Sequence, residues 1–261
     1  MKATVSKTVM GHWPIESSNL SLSAQTPHGA ISGRHLVAPS RELRVGHVFL
    51  LGDSIFDNAT YVRSQPSVVE HLQRALPPEW RATLLAVDGA SAIDVREQLH
   101  GLHDSATHLF VSAGGNDALN ASGVFSKRVQ TVAEALGLLA NAQARFRKDY
   151  RDLLRMLLEV GKPLTVCTIY DTIPGLGQAE RAGLALFNDV ILQSAVEVLA
   201  PVIDLRIVCD QAKDYSDVSP IEPSGQGGAK IAKVIADVVA QHDFSIRRGG
   251  TTIFTGSAGS A

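Results

Sequence analysis

The apolar positions of this chain fall into short uninterrupted runs that alternate with stretches of helical spacing. The first run, Val48-Phe49-Leu50-Leu51, stops at Gly52-Asp53-Ser54. A run of that length bounded by a turn signal predicts a strand buried on both faces. The same pattern predicts strands over 47–51, 82–87, 108–112, 164–169 and 202–208. Between them, apolar residues at helical spacing predict helices over 66–76, 91–100, 125–160 and 178–199, and a last one from 224 onward. The longest is expected to bend near Asn141. Pro66 suits a first turn and Pro77 a stop, Gly161 and Pro163 close the long segment, and Ser224 is a candidate N-cap.

Strict strand–helix alternation predicts an α/β fold, a parallel sheet of five strands with helices on both faces. Right-handed crossovers then bring the carboxyl ends of all five strands to one edge. Three segments meet there: Ser54 after the first strand, Gly89 after the second, and Gly114-Gly115-Asn116-Asp117 after the third. That edge is where open α/β sheets bind ligands.

The flanks read differently. Residues 1–43 are rich in Ser, Thr, Gly, Pro and His without a period, so they form an N-terminal extension to a domain over 44–243. Residues 244–261 are rich in Gly, Ser and Thr and are expected to be a flexible tail. The extension leaves room for a homo-oligomer. Composition narrows the function classes. A net charge of -2 carries no basic footprint for nucleic acid. No apolar run reaches about 18 residues, so no membrane span is expected, and residues 1–20 lack a leader's apolar stretch, so a cytoplasmic protein is expected. Cys167 and Cys209 both sit in apolar runs and read as reduced core thiols.

The three converging segments carry the parts of acyl transfer. Such chemistry needs a nucleophile and donors for a developing oxyanion. Ser54 can attack. Its own N–H, the N–H of Gly89 and the side-chain amide of Asn116 can donate. Gly89 has no Cβ to keep a substrate away, and the Asn116 amide is an uncharged donor. Asp53, Asp57 and Asp117 lie near the same edge but lack ligand spacing and read as turn carboxylates, so no metal is expected. Gly225, Gly227 and Gly228 read as a tight helix start rather than a phosphate cradle.

Gly52-Asp53-Ser54, Gly89 and Gly114-Gly115-Asn116-Asp117 resemble, in order and placement, the first three blocks of the SGNH (GDSL) hydrolases, and Phe56-Asp57-Asn58 is also similar to members of that group. The resemblance covers about residues 45–240. It implies a flavodoxin-like three-layer α/β/α sandwich. It also implies a Ser54 nucleophile, an oxyanion hole from Ser54, Gly89 and Asn116, and no metal or organic cofactor. The implied reaction is hydrolysis or transfer (an esterase or an acyltransferase) on a small-molecule ester.

The fourth block departs from the family. Asp-x-x-His-Pro is expected before the last helix; here the stretch is Ser219-Pro220-Ile221-Glu222-Pro223. Glu222 stands at the histidine position and Ser219 at the aspartate position. A glutamate is a weaker base than a histidine in water, with reference pKa values of about 4.3 and 6.5, but burial can raise it by several units. Glutamate also needs no third residue to fix a tautomer. Three readings follow: Glu222 is the base, another of the nine histidines serves, or the site only binds and the protein is a catalytically silent ligand-binding or scaffold module.

Overall fold

The computed structural model describes residues 45–245 and 250–256. The N-terminal extension expected over 1–43 lies outside the described residues. Six parallel strands form one sheet: β1 (His47–Gly52), β2 (Arg81–Leu84), β3 (His108–Ser112), β4 (Leu164–Cys167), β5 (Val202–Ile203) and β6 (Ile253–Phe254), in the order β2-β1-β3-β4-β5-β6. The helices are α1 (Val68–Ala75), α2 (Val95–Gln98), α3 (Gly115–Ala121), α4 (Val132–Glu159), α5 (Gln178–Val198), α6 (Leu205–Val208) and α7 (Gly225–Gln241).

The strands are apolar on both sides because each feeds two cores. Phe49 and Leu51 of β1 join Leu109 and Val111 of β3 and the buried residues of α2, α4 and α5. Val48 and Leu50 point the other way, with Phe110, toward α1, α6 and α7. This is the period-two alternation of a strand read against two helical layers. The result is the expected three-layer α/β/α sandwich. No described helix is long and apolar enough to cross a membrane. Both cysteines are free and buried, as their apolar surroundings predict.

Local chemistry sets the helix ends. Glu70 accepts the Ser67 N–H at 2.8 Å before α1, Thr131 accepts from the N–H of Glu134 at the start of α4, and Ser224 accepts from the N–H of Gly227 at the start of α7.

Four expectations need correction. The sheet has six strands rather than five, because Ile253 and Phe254, inside the tail expected to be flexible, pair with Val202 and Ile203. Two apolar residues amid Gly, Ser and Thr are too short a run to read as a strand, yet the open edge of β5 supplies hydrogen-bonding partners. The fifth strand stops at Ile203, because Asp204 caps a short helix by accepting the Arg206 N–H at 3.2 Å. The long helix begins at Val132, not 125; residues 122–126 form a 3-10 turn ahead of it. Finally, α4 runs as one helix through Asn141, which faces solvent while Ala142, Phe146, Tyr150, Leu153 and Leu157 hold one buried stripe.

The order places β1 beside β3, with β2 outside it, so the chain reverses its winding direction between β1 and β3 and opens a crevice at their carboxyl ends. Gly52 ends β1 there with φ at +125°, a conformation that L side chains rarely adopt. A Cβ on Gly52 would lie 1.7 Å from the carbonyl oxygen of Ser112 on β3. Gly52→Ala therefore requires β1 and β3 to part. It is expected to cost more than about 4 kcal/mol, read as a collapse of soluble yield or of the denaturant midpoint. A midpoint within error of the wild type would contradict this packing.

Candidate active site

The crevice is built from the end of β1 outward. The Gly52 N–H donates to Gln98 Oε1 at 2.8 Å, and Gln98 Nε2 donates back to the Gly52 carbonyl at 2.7 Å. This buried two-way pair from α2 locks the last residue of the strand. The Asp53 N–H donates to the Ser112 carbonyl at 3.1 Å, and the Phe56 and Asp57 N–H groups both donate to the Asp53 carbonyl at 3.1 Å. Ser54 thus stands on a tight turn at the crevice floor. It is 7% exposed.

The Asp53 side chain is buried beneath it, accepting from the Ile55 N–H at 3.2 Å and the Ser112 hydroxyl at 3.1 Å. Burial pushes the Asp53 carboxyl up to about 7; those two hydrogen bonds oppose the shift, and the charges of Glu222 and Asp117 add to it.

Gly89 takes φ +81°, and beyond its chain neighbours no atom lies within 4 Å of where a Cβ would stand. Its flank is open. Asn116, in the first turn of α3, lines the cavity, and its Nδ2 donates to the Ala90 carbonyl at 3.1 Å. That bond fixes the amide and leaves its second N–H available. Asp117 turns away from the crevice and accepts the Ala92 N–H at 2.9 Å, while Asp57 accepts the Asp88 N–H at 3.0 Å. Both act as turn carboxylates. Among the described residues no group of His, Cys, Asp or Glu is arranged to hold a metal ion.

Glu222 reaches the same cavity from the other side of the sheet edge and lines it together with Ser54. Its loop is held at four backbone points. The Glu222 N–H donates to the Ser219 carbonyl at 3.0 Å and its carbonyl accepts the Ser216 N–H at 2.8 Å. The Tyr170 hydroxyl donates to the Ile221 carbonyl at 2.6 Å, and Asn58 Nδ2 donates to the Pro223 carbonyl at 3.1 Å. Asn58 is fully buried and also accepts the Val68 N–H at 2.9 Å, so it ties the start of α1 to the Glu222 loop.

Glu222 is 5% exposed, and its Oε2 is buried without a hydrogen-bond partner. Burial raises the carboxyl to about 7; the neighbouring Ser54 hydroxyl holds it down, and the Asp88 charge pushes it further up. Ser219 meets Glu222 through its backbone carbonyl.

The structure thus brings Ser54, Asn116 and Glu222 onto one cavity; Gly89 is not among its lining residues and stands next to Ala90, whose carbonyl accepts from Asn116. Among the described residues, no histidine lines that cavity. Of these, His47 and His108 begin β1 and β3, and His242 meets the rings of Phe244 and Phe254 edge-on at a separate cavity by the amino ends of β4 and β5. Two residues that shape the site escaped the sequence reading: Gln98 and Tyr170. Asn58 follows Phe56-Asp57, so its position was marked, but the partner 165 residues away was not.

The family model described as the GDSL-like lipase/acylhydrolase family matches residues 50–230 of this chain. Solved structures agree in three dimensions. A lipase from a goat rumen metagenome superposes with a TM-score of 0.58 at 17% identity, over 72% of this chain and 94% of that one. An esterase from Pseudoalteromonas sp., solved inhibited by monoethylphosphonate, gives 0.54 at 13% identity, over 75% and 97%. A phospholipase A1 from Streptomyces albidoflavus gives 0.51 at 17% identity, over 77% and 100%. At these identities the likeness is one of fold. No functionally curated protein matches the chain significantly.

Proposed function

Because the chain belongs to the GDSL-like lipase/acylhydrolase family, we propose that it cleaves a small carboxylic ester through Ser54, with Glu222 as the proton acceptor in place of a histidine. The observation that carries this reading is the meeting of the Ser54 hydroxyl with a buried carboxyl held near neutrality in one cavity. A base is most effective when its pKa lies near the working pH.

In the acylation step Ser54 Oγ bonds to the carbonyl carbon while Glu222 takes the hydroxyl proton. The carbonyl oxygen gains negative charge and is met by the N–H groups of Ser54 and Gly89 and by Asn116 Nδ2. The bond from carbon to the alcohol oxygen then breaks, its electron pair leaving with that oxygen, and Glu222 returns the proton to it. Water repeats the sequence on the Ser54 ester and releases the acid. A second alcohol in the place of water would make the reaction a transfer.

A carboxylate needs no tautomer fixed, and this suits the absence of an aspartate at Ser219. Four backbone anchors on its loop take over the orienting task. Asp53 serves as a support under the nucleophile.

The test is intact mass after treatment with a small fluorophosphonate. One adduct, mapped to Ser54, is expected on the wild type. No adduct at high probe across neutral and alkaline pH would overturn the reading.

A further inference from the structure

Two surfaces lead away from Ser54, and they differ in polarity. Toward Gly89 the rim is polar: the Tyr61 hydroxyl donates to the exposed Asp88 carboxylate at 2.6 Å, beside Asp57. In the other direction the cavity that holds Ser54, about 170 Å³ in all, continues between α3, the 3-10 turn at 122–126, α4 and α5. Its walls there are Ala121, Val124, Phe125, Leu139, Leu184 and Phe187. Glu180, the carboxylate at that end, is exposed at the surface.

The Phe125 ring lies so close over α5 that a Cβ on Gly183 would come within 2.6 Å of its Cζ. Gly183 is the seat that lets this ring wall the cavity. Leu119 and Phe125 line the cavity yet stay 53% and 40% exposed. An apolar recess with an apolar edge open to water calls for an apolar occupant.

We infer that this cavity is the acyl subsite and takes a straight aliphatic acyl group of medium length, with Phe125 as the wall that limits it. The inference rests on the esterase reading above. The polarity of the two surfaces assigns the two halves of the ester. The acyl group must remain on Ser54 while the alcohol departs and water arrives, so the acyl half belongs in the enclosed apolar recess. The alcohol and the water belong on the open flank by Gly89. The volume is several times the ~30 Å³ share of one liquid water, which is room for an acyl chain of several methylenes, well beyond acetyl.

The experiment is kcat/KM for p-nitrophenyl esters from acetyl to dodecanoyl. It should rise by up to about fourfold per added methylene, peak at medium length and then fall. Phe125→Ala should move the peak to longer chains. Ala121→Phe should lower the octanoyl-to-acetyl ratio at least tenfold. Ethyl octanoate should be preferred to octyl acetate.

A rate that falls steadily from acetyl, or a preference for octyl acetate, would overturn the acyl assignment while leaving the esterase reading intact. Absence of both turnover and fluorophosphonate adduct would instead strike the esterase reading. Calorimetry with octanoate then decides the subsite without turnover: binding weakened by Ala121→Phe supports an aliphatic pocket, and no binding to the wild type overturns it.

Discussion

Ser54→Ala is expected to reduce ester turnover by about ten-thousand-fold or more, with the fold unchanged. Removing the nucleophile ends the covalent route, and what remains is catalysis by the oxyanion donors and by binding alone. The fold should survive because the hydroxyl takes no part in holding the turn. The turn that carries Ser54 is held by the backbone bonds of Asp53, Phe56 and Asp57 and by the Gln98 pair on Gly52. The checks are kcat/KM on a short p-nitrophenyl ester, the fluorophosphonate adduct, and the melting temperature. Retained turnover in a correctly folded variant would show that Ser54 is not the attacking group.

Glu222→Gln is expected to cost about a hundred- to ten-thousand-fold in kcat/KM, the span usual for loss of a general base. The amide keeps the shape of the side chain, so its loop, anchored through Ser216, Ser219, Tyr170 and Asn58, should stay in place. The pH dependence separates a base from a spacer. Glu222 must be deprotonated to accept the Ser54 proton, so wild-type kcat/KM should rise with pH through about 7 and then level off. In Glu222→Gln that rise should flatten.

Stability should move the opposite way. A carboxyl whose folded pKa is raised binds more protons folded than unfolded between its ordinary value, 4.5, and about 7. The wild type should therefore lose stability as pH climbs through that window. Glu222→Gln should lose less, and Asp53, raised by the same cause, should keep part of the slope. A variant with full activity and an unchanged pH profile would remove Glu222 from the chemistry.

Much of this architecture was legible in the chain itself. Alternation of apolar runs and helical spacing determined the α/β class, the order of the elements and the edge at which Ser54, Gly89 and Asn116 gather. These are local patterns, and a parallel sheet with right-handed crossovers leaves few ways to arrange them. That a glutamate, Glu222, stands where the resemblance leads one to expect a histidine was also plain, because it is a matter of residue identity at a marked position.

What tertiary structure decided is what depends on neighbours far apart in sequence. Whether Glu222 stays an ordinary carboxylate or is lifted toward neutrality depends on its burial against Ser54, 168 positions away, and burial is a property of the packed fold. The Asn58–Pro223 and Gln98–Gly52 bonds are of the same kind: a polar side chain is neutral to sequence patterning until the fold supplies its partner. The sixth strand formed because β5 left an edge to fill, and residues 202–208 split into strand and helix because Asp204 found the N–H of Arg206 and the hydroxyl of Thr168. The apolar recess behind Ser54 belongs wholly to this level. Its walls come from α3, α4, α5 and the turn between α3 and α4, and no single stretch of the sequence encodes a cavity.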